Sequence, residues 1–416
     1  MSYRKNGLSA VWALLANMLY ALTQWLLLIV VARLSDPFTL GTFSLVLAVA
    51  SPVFMATNMR LRFVQSADYA GKWRLADYLR VRTSSAILAT LLCALISLFW
   101  WNDRVVMMVL WSVSIAKALE ALQDTCIGSY QQRSRMELAV VSNLVTGGLS
   151  ILAFAIAFSL TRSLSWACLA LALGRLGGLV FLDLPLSKRI VASGESLSSS
   201  AGQVPSQLQN WRSLVLLAWP LGVVAALDSL NAGLPRYFLS WAVGNAEVGV
   251  FAAMVHLSFA GFVLVNAVGQ SMAPRMARQY GKGERREFIR SATQLLGFAV
   301  LVGTAGILAA SLSGDLVLRL IYGSEFVTRG RDFVLVMTAG ALSYLGLSAV
   351  FLLSAAQILR VQVWLYAANT IGGIVCGLLL VPVWGIAGAA IAQVVANLLQ
   401  AAVSYAFLKR SLFRSP

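Results

Sequence analysis

The sequence is poor in charged and titratable residues. Charged residues make up only 12% of its 416 positions, against about 25% in a typical soluble domain, and there is a single histidine. The four cysteines, Cys93, Cys126, Cys168 and Cys376, lie in or beside apolar stretches without metal-ligand or redox spacing. We expect them to be small packing residues, and we predict no metal site and no cofactor.

Catalytic motifs are missing as well. There is no glycine-rich phosphate loop followed by Lys and Ser/Thr, no cluster of His, Cys and Asp, and no nucleophile motif. Acidic residues are half as common as basic ones, which gives a formal net charge of +16. The basic residues are scattered and not gathered in one soluble domain, so we predict attraction to anionic membrane lipids and no nucleic-acid binding. We predict that the protein is not an enzyme.

Apolar residues are abundant instead. They make up 59% of the chain, and the mean hydropathy is +0.79. About 20 apolar residues span the hydrocarbon core of a bilayer as a helix, and twelve segments are long enough. We predict spans at about 9–32, 40–58, 83–101, 104–124, 138–160, 163–182, 213–235, 247–271, 293–312, 333–353, 361–382 and 385–408.

The positive charges predict the orientation. Short loops rich in Lys and Arg stay in the cytoplasm. With the N-terminus inside, 23 of the 32 basic residues fall on the cytoplasmic side, including the six between Arg60 and Arg82. We therefore predict a multi-pass membrane protein with both termini cytoplasmic.

A break between the sixth and seventh spans predicts two halves. Residues 183–212 are rich in Ser, Gly and Gln, a composition typical of a flexible linker. We predict a six-helix bundle at 1–182, a cytoplasmic linker at 183–212 and a second six-helix bundle at 213–416.

Two internal echoes indicate that the halves are repeats. Leu40-Gly41-Thr42-Phe43, followed by an apolar span and a basic loop that ends at Arg80, returns as Val248-Gly249-Val250-Phe251 with a basic loop that ends at Arg290. Gln132, Arg135 and Gly147-Gly148 return at an offset of 225 as Gln357, Arg360 and Gly372-Gly373. An even number of spans in each half makes the repeats parallel. The predicted fold is an all-α polytopic membrane protein of two parallel six-helix bundles, related by a pseudo-twofold axis along the membrane normal.

Three stretches resemble a known family. Pro235–Leu239 leading into Glu247–Phe251, Leu318–Phe326 and Asn58–Gln65 are similar to those of bacterial O-antigen flippases (Wzx type). These belong to the multidrug/oligosaccharidyl-lipid/polysaccharide exporter superfamily. The resemblance covers essentially the whole chain, but its motifs are loose and say little about the substrate.

The resemblance implies a function. Such a protein flips an undecaprenyl-diphosphate-linked oligosaccharide from the inner to the outer leaflet of the bacterial inner membrane, for lipopolysaccharide or another surface polysaccharide. It implies a central cavity lined by the first, second, seventh and eighth spans. It also implies proton or sodium coupling, and a polysaccharide polymerase and a chain-length regulator as partners.

Charged residues near or inside spans are the first candidates for the transport path. Arg60 and Arg62 end the second span, where they either capture the diphosphate or anchor the helix. Lys117, Glu120 and Asp124 share one face of the fourth span, as a structural ion pair or as a gating or proton-linked group. Arg175 and His256, in later spans, are two further titratable candidates for a structural or a coupling role.

The first of these is Arg175 in the sixth span. It lies about eight residues from the cytoplasmic end of that span, so its long side chain can partly snorkel toward the interface. The second is His256 in the eighth span, which either senses protons or is hydrogen-bonded within the bundle.

The seventh span adds Asp228 and Arg236. Asp228 is a candidate ligand for a coupling ion or a sugar hydroxyl, and Arg236 is a candidate for contact with the exported headgroup. Helix packing is the alternative role for both residues.

Four amides complete the candidates. Asn17 and Gln24 share a face of the first span, and Asn266 and Gln270 share one of the eighth. Amides pair well with sugar hydroxyls, but they also hold helices together.

Two other functions remain open at this point. A multidrug or cation antiporter of the same superfamily is the nearer alternative, since the intramembrane charges do not discriminate. An O-antigen polymerase or ligase is less favoured, because the longest outer segment, 313–332, is short for a catalytic loop.

Overall fold

The structure is all-helical in the part of the chain that it describes. The computed structural model describes residues 2–68, 71–100, 103–198, 211–327, 330–358 and 360–414. The helices there are α1 (Ser2–Leu34), α2 (Pro37–Asn58), α3 (Leu61–Ala67), α4 (Leu75–Trp100), α5 (Arg104–Gln132), α6 (Met136–Thr161), α7 (Leu164–Gly178), α8 (Leu184–Ser198), α9 (Trp211–Ala242), α10 (Asn245–Gly281), α11 (Arg285–Ile321), α12 (Gly330–Ala355) and α13 (Arg360–Arg414). A π-helical turn (Leu179–Asp183) joins α7 to α8, and a 3₁₀ turn (Ser324–Phe326) follows α11.

The helices are those of a multi-pass membrane protein. Eleven helical segments of the described residues are long and apolar enough to cross a bilayer, with α2 and α3 forming one of them. The last segment, α13, is broken at Gly385, whose φ of 55° and ψ of −125° are not helical and favour glycine. Its two parts match the predicted spans 361–382 and 385–408. The predicted fold class, an all-α polytopic membrane protein with twelve crossings in two bundles, is confirmed.

The chain divides into two compact units. Unit 1 comprises Met1–Val30 and Val49–Ser229, and unit 2 comprises Val31–Ala48 and Leu230–Pro416. The predicted domain limits and the pseudo-twofold axis between the halves stay predictions.

The helical structure continues past the start of the predicted linker. That linker begins at residue 183, yet α8 extends to Ser198 and α9 begins at Trp211. The reason is visible at Asp183, which is fully buried, while the hydroxyl of Tyr130 donates to its backbone oxygen at 3.1 Å and that of Thr146 to its carboxylate at 3.3 Å. Packing of this segment in unit 1 thus overrides its Ser-rich composition, and residues 199–210 lie outside the described part.

In unit 2 the two copies of the first sequence echo pack against each other. A Cβ atom at Gly41 would lie 2.8 Å from the backbone nitrogen of Gly249, and one at Gly249 would lie 2.9 Å from that of Gly41. Beside this contact, the Asn245 amide donates to the Thr42 hydroxyl at 3.3 Å. The glycines therefore set the closest approach of α2 and α10, as small residues do in membrane helix pairs.

The two copies differ at the ends that lead into their basic loops. In the first copy α2 stops at Asn58, and both Met59 and Arg60 have left-handed backbone angles before α3 begins. In the second copy α10 continues as one helix of 37 residues to Gly281. The two copies therefore differ in backbone at this end.

The family-like stretch 318–326 forms the end of α11. Arg33 donates through Nε to the carbonyl of Ile321 at 2.7 Å and through Nη2 to that of Leu320. Gly323, with a φ of 119°, then ends the helix. The arginine satisfies carbonyl groups that a helix end leaves without intrahelical partners.

We predict that Gly249→Ala destabilises unit 2 by about 1–3 kcal/mol, because the new methyl group meets backbone that cannot move aside without separating α2 from α10. The measurement is the thermal unfolding midpoint in mild detergent. Gly297→Ala in α11 is the matched control, since no atom lies within 4 Å of its added Cβ. Equal midpoints for both variants would contradict the close-packing role.

Candidate functional site in unit 1

Glu120 is held by three side chains from three helices. Lys117, one turn earlier on α5, places Nζ 3.6 Å from Oε2, and Arg175 of α7 places Nη1 3.2 Å from the same oxygen. The hydroxyl of Tyr20 on α1 donates to Oε1. Arg175 is only 11% exposed, and it pairs with an acid inside the helix bundle.

Asp124, one turn further along α5, bridges two arginines. Its Oδ1 lies 3.2 Å from Nη1 of Arg62 on α3, and its Oδ2 lies 3.2 Å from Nη2 of Arg82 on α4. Arg82 is 1% exposed, and it also donates to the Thr125 hydroxyl at 3.0 Å and to the Asn58 carbonyl at 3.1 Å. Every nitrogen of this buried guanidinium therefore has a partner.

We call these six side chains the charged cluster. Its members are Arg62, Arg82, Lys117, Glu120, Asp124 and Arg175. Four cations and two carboxylates leave a formal excess of two positive charges. Since an isolated charge inside the membrane is costly, each carboxylate lowers the cost of two cations, and the remaining positive charge is available to an anion.

The break between α2 and α3 positions Arg62. Met59 and Arg60 have φ angles of 51° and 46°, a conformation that costs about 1–2 kcal/mol per residue outside glycine. The bond from Arg82 to the Asn58 carbonyl holds the end of α2, and Arg62 follows in the first turn of α3. Its Nε donates to the Gln131 amide oxygen at 3.1 Å. The break thus turns Arg62 toward α5, while the side chain stays 26% exposed.

Arg60 and Asp228 are two further charged candidates in unit 1. Both side chains are exposed, Arg60 between α2 and α3 and Asp228 on α9. The positive charge of Arg60 acts electrostatically on Asp228. The two are therefore brought near each other, but Arg60 is not part of the charged cluster.

The two titratable candidates Arg236 and His256 lie in unit 2. Arg236 of α9 donates through Nη1 to the Ala232 carbonyl at 3.1 Å, and its buried Nε has no hydrogen-bond partner among the described residues. His256 of α10 has Nδ1 2.7 Å from the Ala252 carbonyl. This nitrogen is therefore a donor to the histidine's own helix, which is the bonding expected of a histidine within a bundle.

The four candidate amides are divided between the units. Asn17 and Gln24 lie on α1, the first exposed and the second half-buried, and belong to unit 1. Asn266, half-buried, and Gln270, exposed, lie on α10 in unit 2.

Arg82 and Tyr20 are functional candidates that the sequence did not reveal. The third predicted span starts at residue 83, just after Arg82, whereas α4 begins at Leu75 and buries Arg82 against Asp124. Its spacing of four residues from Tyr78, also buried, is the helical signal that could have identified it. Tyr20 lies three residues after Asn17 and four before Gln24, a spacing that puts it on their face of α1.

A comparison of sequences finds a distant relative. No protein-family model matches the chain. The capsular polysaccharide biosynthesis protein CapF of Staphylococcus aureus is 23% identical over 338 residues, which cover 81% of this chain and 82% of that protein.

The fold resembles those of solved transporter structures over nearly the whole chain. An inward-facing multidrug resistance transporter of the MATE family, in the MOP superfamily, superimposes with a TM-score of 0.68 and 14% identity, covering 97% of this chain and 98% of that one. A MOP superfamily transporter from Pyrococcus furiosus, described by the reverse polarity of its binding pocket, gives 0.64 at 14% identity, covering 97% and 94%. The chain therefore has the fold of MOP superfamily transporters.

We predict that Asp124→Asn lowers the free energy of unfolding by about 3 kcal/mol or more, because it leaves Arg82 buried without a counter-ion. Thermal unfolding in mild detergent measures the loss. Glu137→Gln is the control: it breaks an ion pair with Arg135 whose side chains are 36% and 55% exposed, and such pairs contribute about 1 kcal/mol or less. If Asp124→Asn were no more destabilising than the control, Asp124 would not be the counter-ion of Arg82.

Proposed function

We propose that the protein flips an undecaprenyl-diphosphate-linked oligosaccharide from the inner to the outer leaflet of the bacterial inner membrane, by alternating access. The product serves O-antigen or another surface polysaccharide. The observation that carries the proposal is the charged cluster, whose formal excess of two positive charges lies within membrane-spanning helices.

The charge of the cluster fits that of the cargo. A diphosphate diester carries about two negative charges, and moving them through hydrocarbon unaided costs several kcal/mol or more. Arginine suits this task, because it stays protonated and its planar fork matches phosphate oxygens. An acidic cluster would repel the same headgroup and attract organic cations instead.

Arg62 is the member of the cluster best suited to the headgroup. It is partly exposed and uses one N–H group on Asp124 and one on Gln131, which leaves other N–H groups for phosphate oxygens. Arg60, two residues earlier and exposed, is the second ligand that we propose. Asp124 stays paired with Arg82 when Arg62 turns to the substrate, so the exchange leaves no carboxylate unpaired.

The comparisons support the same class of cargo. CapF is named for capsular polysaccharide biosynthesis, and the Pyrococcus furiosus transporter is described by a binding pocket of reversed polarity. In this chain, the cationic excess of the charged cluster suits a lipid-linked anionic cargo. An O-antigen polymerase or ligase has no support from these structures, which are transporters.

The remaining parts of the proposal follow from the sequence. Both termini are cytoplasmic, anionic lipids surround the basic helix ends, and a polysaccharide polymerase and a chain-length regulator act with the protein. A proton or sodium gradient drives transport, with Asp228, Arg236, His256 and Arg175 as the coupling or headgroup candidates and Asn266 and Gln270 as sugar ligands.

A multidrug or cation antiporter is the second candidate function. The observation in its favour is the fold of the multidrug resistance transporters together with the exposed acid Asp228 in a membrane-spanning helix. Against it stands the cationic excess of the charged cluster. An antiporter of organic cations would confer drug resistance without any effect on surface polysaccharide.

We predict that, in a host strain whose own gene is deleted, Arg60→Ala with Arg62→Ala fails to restore surface polysaccharide, whereas Arg60→Lys with Arg62→Lys restores part of it. Losing charge-assisted hydrogen bonds of about 1.5–3 kcal/mol lowers transport about tenfold or more. The measurement is surface polymer per cell at matched expression.

The control is Arg80→Ala, an arginine of α4 that is 75% exposed and lies outside the cluster. It should restore polymer fully. Normal polymer in the uncomplemented deletion strain would overturn the flippase proposal, while equal activity of the Ala and Lys pairs would remove Arg60 and Arg62 from the site.

A further inference from the structure

Helix α1 has two faces of opposite character. One face carries large apolar side chains that are exposed, as expected for contact with lipid. They are Val11, Leu14, Leu15, Met18, Leu22 and Leu26. The other face carries Asn17, Tyr20 and Gln24, at the i, i+3 and i+7 spacing that aligns side chains along one side of a helix.

Tyr20 lies on the far side of the helix from the apolar face, and Asn17 and Gln24 flank it. Tyr20 follows Met18 by two residues, which is about 200° around a helix of 3.6 residues per turn. Amides that faced hydrocarbon would need partners or carry the desolvation cost of a polar group. The Asn17–Tyr20–Gln24 face is therefore suited to water or to a polar ligand, and not to lipid.

The Tyr20 ring is fixed in place but not covered. Its hydroxyl donates to Glu120, which Lys117 and Arg175 hold in turn, yet the residue stays 41% exposed. An aromatic ring that is tethered at its tip and partly exposed loses little conformational entropy when a ligand stacks on it.

The backbone of α1 beside Tyr20 is also held. The Asn143 amide of α6 donates to the Ala16 carbonyl at 2.8 Å. Thr23 packs against Gly147 of α6, where an added Cβ would lie 2.7 Å from the threonine methyl carbon. The polar face is thus presented by a helix that is anchored on its neighbouring side, which is the preorganisation that a binding site needs.

We propose that Asn17, Tyr20 and Gln24 form a sugar-binding face for a pyranose ring of the transported oligosaccharide. This inference rests on the proposed function. The apolar C–H face of the sugar stacks on the Tyr20 ring, as aromatic rings bury flat apolar surfaces. The amides of Asn17 and Gln24 each offer a donor and an acceptor, which match hydroxyl groups that both donate and accept.

The charged cluster positions Tyr20 of the sugar-binding face as well as Arg62. Glu120 orients Tyr20, while Asp124, four residues on along α5, orients Arg62. One face of α5 therefore supports a group for the sugar and a group for the diphosphate. A lipid-linked sugar presents these two chemical groups next to each other, because the diphosphate is joined to the first sugar.

The test is binding by the full-length protein in lipid nanodiscs. One probe is undecaprenyl diphosphate alone, and the other is the undecaprenyl-diphosphate-linked oligosaccharide extracted from the gene-deletion host strain. The variants are Tyr20→Phe, which keeps the ring and loses the hydroxyl, Tyr20→Leu, which loses the ring, and Asn17→Ala with Gln24→Ala. Met18→Ala, on the apolar face, is the control.

We expect Tyr20→Leu and the double amide variant to bind the oligosaccharide lipid about tenfold more weakly, a loss of about 1.4 kcal/mol, with binding of the sugar-free lipid unchanged. Tyr20→Phe should stay within about twofold to threefold of the parent, and Met18→Ala should equal it. The contrast between Phe and Leu separates ring stacking from the hydrogen bond to Glu120.

Three results would overturn the inference. They are unchanged binding by Tyr20→Leu, an equal loss for Tyr20→Phe and Tyr20→Leu, and a loss for Tyr20→Leu that is the same with both lipids. In each case the parent still binds the diphosphate, so the proposed function stands. If the parent binds neither lipid, the proposed function fails and this inference fails with it.

Discussion

The cost of placing charge inside a membrane governs unit 1. Two carboxylates on α5, Glu120 and Asp124, each hold two cations, and these contacts tie α3, α4, α5 and α7 together. Neither acid can be removed without leaving an arginine uncompensated in an apolar surrounding. The arrangement stabilises the bundle, and it also leaves a positive excess that a purely structural ion pair would not have.

In the proposed function, that excess lets one cluster serve both structure and transport. Arg82 is fully enclosed and keeps Asp124 paired, so Arg62 is the member that can exchange partners at low cost. The strained backbone at Met59 and Arg60 supports this division, since the break separates the end of α2, which Arg82 holds, from the arginine that faces outward. Strain of this kind persists only where surrounding contacts hold it, as those of Arg82 do.

Spacing along one helix was predictable from the sequence, and pairing between helices was not. The i, i+3, i+7 pattern of Lys117, Glu120 and Asp124 is enough to put them on one face of α5, and the split of α13 follows from Pro382 and Gly385. The partners from other helices, Arg62 and Arg175, depend on packing that no local pattern encodes. The break after Asn58 has no Gly or Pro to mark it, and Arg82 carries the same charge as a cytoplasmic loop residue.

In the proposed function the protein moves a lipid-linked oligosaccharide across a bilayer, and reconstitution tests this movement most directly. Purified protein is placed in sealed vesicles with undecaprenyl-diphosphate-linked oligosaccharide in both leaflets, and a membrane-impermeant periodate reagent oxidises the exposed sugars. We expect the inner-leaflet pool to react in vesicles that contain the parent protein and to stay protected in protein-free vesicles. The same protected fraction with and without the protein, under a proton or a sodium gradient of either direction, would contradict the flippase function.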